Sequence, residues 1–221
     1  MPSHEPVHAV IGDVVGSRDH PSRQAVQEAV LRALETADRG VTSIQRPEPT
    51  IGDEFQSVHA GLADALLVTV LVRLALPEEL DVRFGIGVGT LEVVGSSAYG
   101  LTQDGPAWWA ARQAVVEVEE RQRSMPHLRT RLVRPLDDED DLPAGATEPG
   151  LVNAYLETRD FIVTGFDGRL RRIAAGLLAG RSITQIADEE GISASAVSQR
   201  IRRGGVRALT ESIAQLPRGA S

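Results

Sequence analysis

Residues Pro135–Gly150 read PLDDEDDLPAGATEPG. A stretch this rich in acid, proline and glycine carries too little apolar surface to repay the entropy of ordering it, so no core can run through it. The chain must arrange itself on either side, and the two sides differ in kind. Before Pro135, short apolar strands alternate with helical patterns; after Gly150, every pattern is helical. This predicts an α/β domain over 1–134, a linker over 135–150 and a helical domain over 151–221.

Within the first part, His8–Val15 (HAVIGDVV) reads as an apolar strand with an aspartate near its end. Pro21–Ala37 places Val26, Val30 and Leu34 at helical spacing, with Ser22 positioned as the cap. Val41–Gln45 and Gln56–His59 read as the arms of a hairpin whose tip lies at or near Gly52 and Asp53. Gly61–Leu76 is apolar on more than one face, as a helix lying on a sheet would be, and Pro77 stops it. Asp81–Gly89 alternates again, with glycines at 85, 87 and 89; a helix over Pro106–Gln122 and a strand over Leu128–Val133 follow. The order β-α-β-β-α-β-α-β predicts an α+β sandwich of ferredoxin-like or palm type, with helices on one face of a mainly antiparallel sheet. No internal repeat interrupts it.

Composition excludes several classes. With 42% hydrophobic residues the chain can bury a core, yet no apolar run approaches the roughly 18 residues of a membrane span. The short polar start, Met1–Glu5, is not followed by a signal-type apolar stretch. There is no cysteine, which removes disulfides and thiolate metal sites and leads us to expect a cytoplasmic protein. All 23 Lys plus Arg residues are arginine, so lysine chemistry is absent and guanidinium forks remain. The net charge of −8 is unevenly spread: residues 165–221 hold nine Arg against five Asp plus Glu, a net of +4, leaving −12 for the remainder. An acidic sensor or enzyme fused to a DNA-binding tail would show this asymmetry, and so would a chance surface imbalance.

In the helical part, Arg169–Leu178 turns Leu170, Ile173, Ala174, Leu177 and Leu178 to one side. Ser182-Ile183-Thr184-Gln185 is a capping box that opens a second helix running to about Glu190, and Gly191 supplies a left-handed cap. A third helix follows from Ser193 to about Arg203, burying Ala196, Val197 and Ile201. This predicts a helix-turn-helix over 182–203 whose outer face carries Ser193, Ala194, Ser195, Ser198, Gln199, Arg202 and Arg203. Small residues at its start let the backbone approach a major groove, Gln199 can read adenine, and Arg202 and Arg203 can reach guanine or phosphate. A small helical dimerisation or docking unit has the same outline. The string LRRIAAGLLAGRSITQIADEEGISASAVSQRIRRG resembles the DNA-binding domain of LuxR-type regulators and region 4 of sigma factors. That resemblance implies recognition of double-stranded DNA by residues 194–203.

Asp13, followed by Val14, Val15, Gly16, Ser17 and Arg18, ends the first strand, while Gly52, Asp53 and Glu54 form the hairpin tip. If strand and hairpin pair, Asp13 and Asp53 can share a Mg²⁺ and present it to nucleotide phosphates, which the Val14–Ser17 amides could cradle. Solvated turn carboxylates give the same spacing. VIGDVVGSR, TIGDEFQSVH, RFGIGVGTLEVV and AYGLTQDGPAWWAAR, in this order, resemble the motifs of class III nucleotidyl cyclases, and GDEF is similar to the diguanylate cyclase signature. GDEFQ, RFGIG and DGPAWWAAR resemble proteins of the SatD family still more closely. The cyclase resemblance implies Asp13 and Asp53 as metal ligands and Arg112 as the residue that stabilises phosphate charge. It also marks departures: Pro49 stands where adenylyl cyclases read adenine with lysine, Trp108 where an asparagine orients ribose, and one glycine precedes Asp53 where diguanylate cyclases have two.

Keeping metal and phosphate residues while losing base and ribose readers leads us to expect nucleotide binding without turnover. The expected protein is a DNA-binding regulator whose N-terminal domain binds a purine nucleotide or a cyclic dinucleotide second messenger with Mg²⁺. A working nucleotidyl cyclase with a DNA-binding tail, or a DNA-bound scaffold that recruits another protein, are the alternatives. Trp108 and Trp109 fit core or dimer-interface packing as well as base stacking. His59 reads as a strand residue. A homodimer is expected, with Pro106–Val118 as the contact surface.

Overall fold

The computed structural model describes residues 3–17, 20–50, 52–97, 100–135 and 149–216. Strand β1 (Ser3–Val14) is apolar on both sides: Val7, Ala9 and Ile11 join one hydrophobic cluster, Val10 and Val14 another. A strand of that kind must be covered on both faces, and it lies in the middle of the sheet. The strand order is β2 (Gln45–Pro49), β3 (Glu54–His59), β1, β4 (Val82–Ser97), β5 (Gly100–Asp104), with β6 (Thr130–Val133) parallel on β4. The remaining pairs are antiparallel, in line with the sheet that the sequence predicts.

Helices α1 (Arg23–Asp38) and α2 (Leu62–Ala75) cover the face that carries Val10, Val14, Phe55, Phe84 and Ile86. Helix α3 (Pro106–Arg121) covers the other, against Val7, Ala9, Ile11 and Val58. The helices therefore lie on both faces, which corrects the expectation of one. The glycine run in β4 is the local reason. A Cβ at Gly85 would meet the Ala111 carbonyl oxygen at 2.0 Å, one at Gly87 the Ala107 oxygen at 2.0 Å, and one at Gly89 the Ala107 nitrogen at 2.8 Å. Their missing side chains let α3 rest on the strand backbone.

Two further differences have physical causes. The first hairpin arm is Gln45–Pro49, later than the predicted 41–45, and includes Pro47 and Pro49; β2 is the sheet's edge strand, where proline costs no ladder bond. β4 runs on to Ser97 and turns back as β5, a pairing the sequence reading missed because its outer residues, Val93 and Val94, are each 60% exposed.

Beyond the residues outside the description (136–148), helix α4 (Pro149–Thr164) packs Val152 and Leu156 into the α1–α2 side of the sheet. Helices α5 (Gly168–Leu178), α6 (Ile183–Glu190), α7 (Ala194–Arg203) and α8 (Val206–Ala214) gather around Ile173, Ile186, Val197, Ile201 and Leu209. That cluster also takes in Leu67, Val70 and Leu74 of α2, so α2 is apolar on more than one face because it has a neighbour on each.

A polar network fastens these helices down. Arg73 of α2 donates to both carboxylate oxygens of Asp81 (2.9 and 3.0 Å), to Thr164 Oγ1 (2.9 Å) and to Asp160 Oδ1 (3.3 Å). Asp160, fully buried on α4, accepts from the backbone amides of Arg129 (2.8 Å) and Thr130 (2.6 Å) and from Arg159 Nη2 (3.0 Å). Arg171 of α5 donates to the carbonyls of Leu76, Pro77 and Leu80, which follow α2. Removing one partner of a buried pair leaves the other charge unpaired. Asp160→Ala is expected to lose about 3–5 kcal/mol of stability, read as a lower denaturant midpoint with unchanged slope.

His8 and His59 face each other across β1 and β3. His59 is fully buried and bonded to Ser57 Oγ and the Thr42 carbonyl oxygen (both 3.0 Å), a strand residue as the sequence suggests. Burial is the largest effect on both: it lowers His59 and takes His8 from 6.5 to about 4. Both therefore stay neutral to lower pH when folded than in the unfolded chain, which takes up protons below about 6.5. Stability should therefore fall from about pH 6.5 towards 4, by about 3 kcal/mol for His8, and His8→Gln should flatten that slope in unfolding measured between pH 7.5 and 4.5.

Candidate functional site

Residues 8–14 of β1 alternate between the two faces, so Asp13 points to the α3 side with Ile11, while Val14 points to the α1 side. In register with Asp13 are Glu54 on β3 and Arg83 on β4. Arg83 Nη1 donates to Asp13 Oδ2 at 3.0 Å and its Nε to Gln122 Oε1 at 2.8 Å. Arg112, one of the exposed residues of α3, forms a two-pronged pair with Glu54, 2.7 Å for each bond. Asp53 lies in the β2–β3 turn beside them. Gly52 takes the left-handed backbone that this turn requires (φ 85°), and Ser17 Oγ donates to Asp53 Oδ2.

Sequence spacing thus brings Asp13, Asp53, Glu54 and Arg112 to one corner. Arg83 was missed, although strand alternation from Phe84 would have put it on the α3 face beside Asp13. Of the amides expected to cradle phosphate, Val14 N donates to the Asp53 carbonyl (3.4 Å) and Val15 N to that of Asp81 (2.9 Å). Those of Gly16 and Ser17 make no bond among the described residues. Arg18 lies outside the described residues.

The corner is electrostatically uneven. Burial, and then the charge of Asp53, raise the Asp13 carboxyl above its ordinary range, and Arg83 only partly offsets them. No group of three or more metal-ligating side chains occurs among the described residues. Two carboxylates are nonetheless a usual Mg²⁺ complement when substrate phosphates and water fill the remaining positions. Hard oxygen donors that repel one another would suit such an ion, and Asp13 and Asp53 are the pair that would hold it.

Around the end of the sheet, on the α1 side, a cavity of 540 Å³ opens between Asp53, Ser17 and one stripe of α1. Helix α1 begins where the sequence predicts, its Ser22 cap accepting from Ala25 N at 3.2 Å. The stripe consists of Arg23, Val26, Gln27, Val30 and Leu31, faced by Pro49. Sequence reasoning saw its valines and missed Arg23 and Gln27, whose four-residue spacing puts them on the same side. The size and the mixture of apolar wall with a few polar groups suit a small-molecule ligand.

Trp108 is buried in the α3–sheet cluster at 9% exposure, so packing accounts for it, and its indole Nε1 has no partner among the described residues. Trp109 is 63% exposed and donates to Asp104 (2.8 Å).

In the helical part, Ser182 and Gln185 form the predicted capping box, and Gly191 (φ 63°, ψ 35°) turns the chain from α6 into α7. Ser193 caps α7, which buries Val197 and Ile201; Ala196, expected inside, is half-buried. Ser193, Ala194, Ser195, Gln199, Arg202 and Arg203 are exposed and Ser198 is half-buried. Arg200 is held by Asp167 at 3.1 Å, whereas Arg202 and Arg203 have no ion pair or hydrogen bond among the described residues.

Mixed α/β architecture with an acidic corner at the end of a central strand defines the class of this protein. Residues 7–213 match the SatD family, and the chain belongs to that family. A comparison with curated proteins found no match. Three solved structures similar to part of the chain are two cyclases and a protein with a GGDEF domain. The guanylyl cyclase domain of the RhoGC fusion protein from the aquatic fungus Blastocladiella emersonii is 18% identical, with 52% of this chain and 77% of that one covered and a TM-score of 0.40. A bacterial light-regulated adenylyl cyclase is 16% identical over 60% of this chain and 44% of its own (TM-score 0.42). An EAL/GGDEF domain protein from M. capsulatus is 17% identical over 60% and 90% (TM-score 0.39). Among the described residues, no helix is long and apolar enough to cross a membrane.

Replacing Asp13 with asparagine removes the charge that burial and Asp53 disfavour. Asp13→Asn should raise the melting temperature of the ligand-free protein at neutral pH, and this gain should vanish on acidification, where the wild-type carboxyl is protonated. Paired thermal melts at pH 7 and pH 3.5 check both signs.

Proposed function

We propose that this SatD-family protein is a DNA-binding regulator that responds to a purine nucleotide or a dinucleotide second messenger. The observation that carries the reading is the outer face of α7. It presents small residues at its start, Gln199 in the middle and, at its end, two guanidiniums without a partner among the described residues, in the part of the chain with a net charge of +4. A helix so built, preceded by a short helix and a tight glycine turn, suits a major groove: Gln199 can pair with adenine, and Arg202 and Arg203 with guanine or phosphate. The other 164 residues carry −12, which keeps duplex contacts on the helical side.

The cavity beside α1 would hold the nucleotide with its phosphates at the corner. A Mg²⁺ ion held by Asp13 and Asp53 would supply the positive charge that phosphates need beside these carboxylates. Arg112 stands across from it, and a phosphate would compete with Glu54 for its two-pronged bond. Pro49 and Trp108 stand where the cyclases that the chain resembles read base and ribose, so we favour binding over turnover. Two copies would meet through the exposed side of α3, where Trp109 (63% exposed) and Val116 (46%) offer apolar surface, and so present paired α7 helices to DNA.

DNA binding by α7 is tested with duplex fragments from the protein's own genome and the Arg202→Ala/Arg203→Ala double variant. A lost base contact is worth about 1–3 kcal/mol, so affinity should drop by about tenfold or more while the melting temperature holds. Retained affinity in a folded double variant contradicts the reading.

A further inference from the structure

Five side chains on α1 line the cavity at positions 23, 26, 27, 30 and 31, which is one helical stripe. At about 1.5 Å per residue the stripe runs about 12 Å, enough to follow a nucleotide from phosphate to base. Its chemistry changes along the way. Near the start, Arg23 stands with Ser17 and Asp53; further along come Val30, Leu31 and, from β2, Pro49. Five of the lining residues have polar side chains, and three of these already have partners: Ser17 is bonded to Asp53, and Glu54 to Arg112. Arg23 and Gln27 make no hydrogen bond or ion pair among the described residues. Arg23 is a charge for the phosphate end. Gln27 is an exposed neutral amide beside Val26 and Val30, with no partner among the described residues.

We infer that Gln27 reads the base of the bound nucleotide and selects adenine; this rests on the cavity being the nucleotide site proposed above. The amide oxygen accepts from the 6-amino group of adenine while the amide nitrogen donates to a neighbouring ring nitrogen, a two-bond match. Guanine could also make two bonds to an amide, through O6 and N1–H. Its 2-amino group would then lie against Val26, Val30, Leu31 or Pro49 with no acceptor, and a buried donor without a partner is costly. Adenine carries only a C–H there. The sequence places a proline at position 49, so the opposite wall offers no competing hydrogen bond from a side chain.

The experiment is calorimetric titration of the full-length protein with ATP and with GTP, both with Mg²⁺, for wild type, Gln27→Leu and Gln27→Glu. Gln27 is exposed on a helix, so neither change should disturb folding, and melting temperatures verify this. Wild type should bind ATP about tenfold more tightly than GTP, the worth of one unsatisfied donor. Gln27→Leu should lose about tenfold in ATP affinity and with it the discrimination. Gln27→Glu, whose carboxylate accepts from guanine N1–H and the 2-amino group together, should prefer GTP. Nucleotides that bind wild type without preference, or a preference unchanged in Gln27→Leu, would overturn the assignment of Gln27 and leave the cavity as the nucleotide site. Failure of wild type to bind either nucleotide would overturn both this assignment and the cavity as a site for a purine mononucleotide.

Discussion

Asp160 has no exposed surface and receives hydrogen bonds from Arg73, Arg159 and the amides of Arg129 and Thr130. Around it converge α2, α4 and the entry to β6. Its neighbour Asp81 completes the set. Burial works against the Asp81 charge, but the guanidiniums of Arg73 and Arg129 outweigh it and hold the carboxyl below its ordinary range. Buried ion pairs contribute little net stability, yet each depends strongly on its partner and fixes geometry. Here the geometry fixed is the seat of the C-terminal helices on the sheet: α4 through Asp160 and Thr164, α5 through Arg171 at the end of α2.

That seat also touches the corner. The carbonyl of Asp81 accepts from Val15 N, in the loop that follows Asp13, and the carbonyl of Asp53 accepts from Val14 N. A ligand that shifts the 13–17 loop therefore pulls on the residue whose side chain anchors Arg73. From Arg73 the path to α5 is one step through Thr164 and one through the end of α2. The connection matters for function only if a ligand binds two arrangements of this network with different affinity. Polar bonds with defined partners offer such alternatives more readily than a packed apolar interface does.

Much of this was legible in the sequence where a residue does one thing. Ser22, the Ser182–Gln185 capping box, Gly191 and the corner residues Asp13, Asp53 and Glu54 each declare a local geometry, and the structure has them in place. What escaped were features set by partners far along the chain. The glycines of β4 look like strand breakers until α3 is laid upon them, and their spacing does not say which helix comes. Arg73, Arg159 and Arg171 read as ordinary charges of helices, and only the fold brings them inside. Gln27 is one polar residue among many on α1. Its distinction, an unpaired amide facing a cavity, exists only once Pro49 and the Asp53 turn are set opposite.

The proposed regulation requires that ligand in the cavity and DNA on α7 be linked, and one titration measures the link. Fluorescence anisotropy of a duplex bound by the full-length protein should be followed with and without a saturating concentration of the nucleotide that raises its melting temperature most, with Mg²⁺ in both arms. A coupling of about 1–3 kcal/mol, five- to 150-fold in DNA affinity, is predicted. The change should be lost in Asp53→Asn, while affinity of the ligand-free protein for DNA stays the same. Identical DNA affinity with and without bound nucleotide would contradict the link between corner and α7.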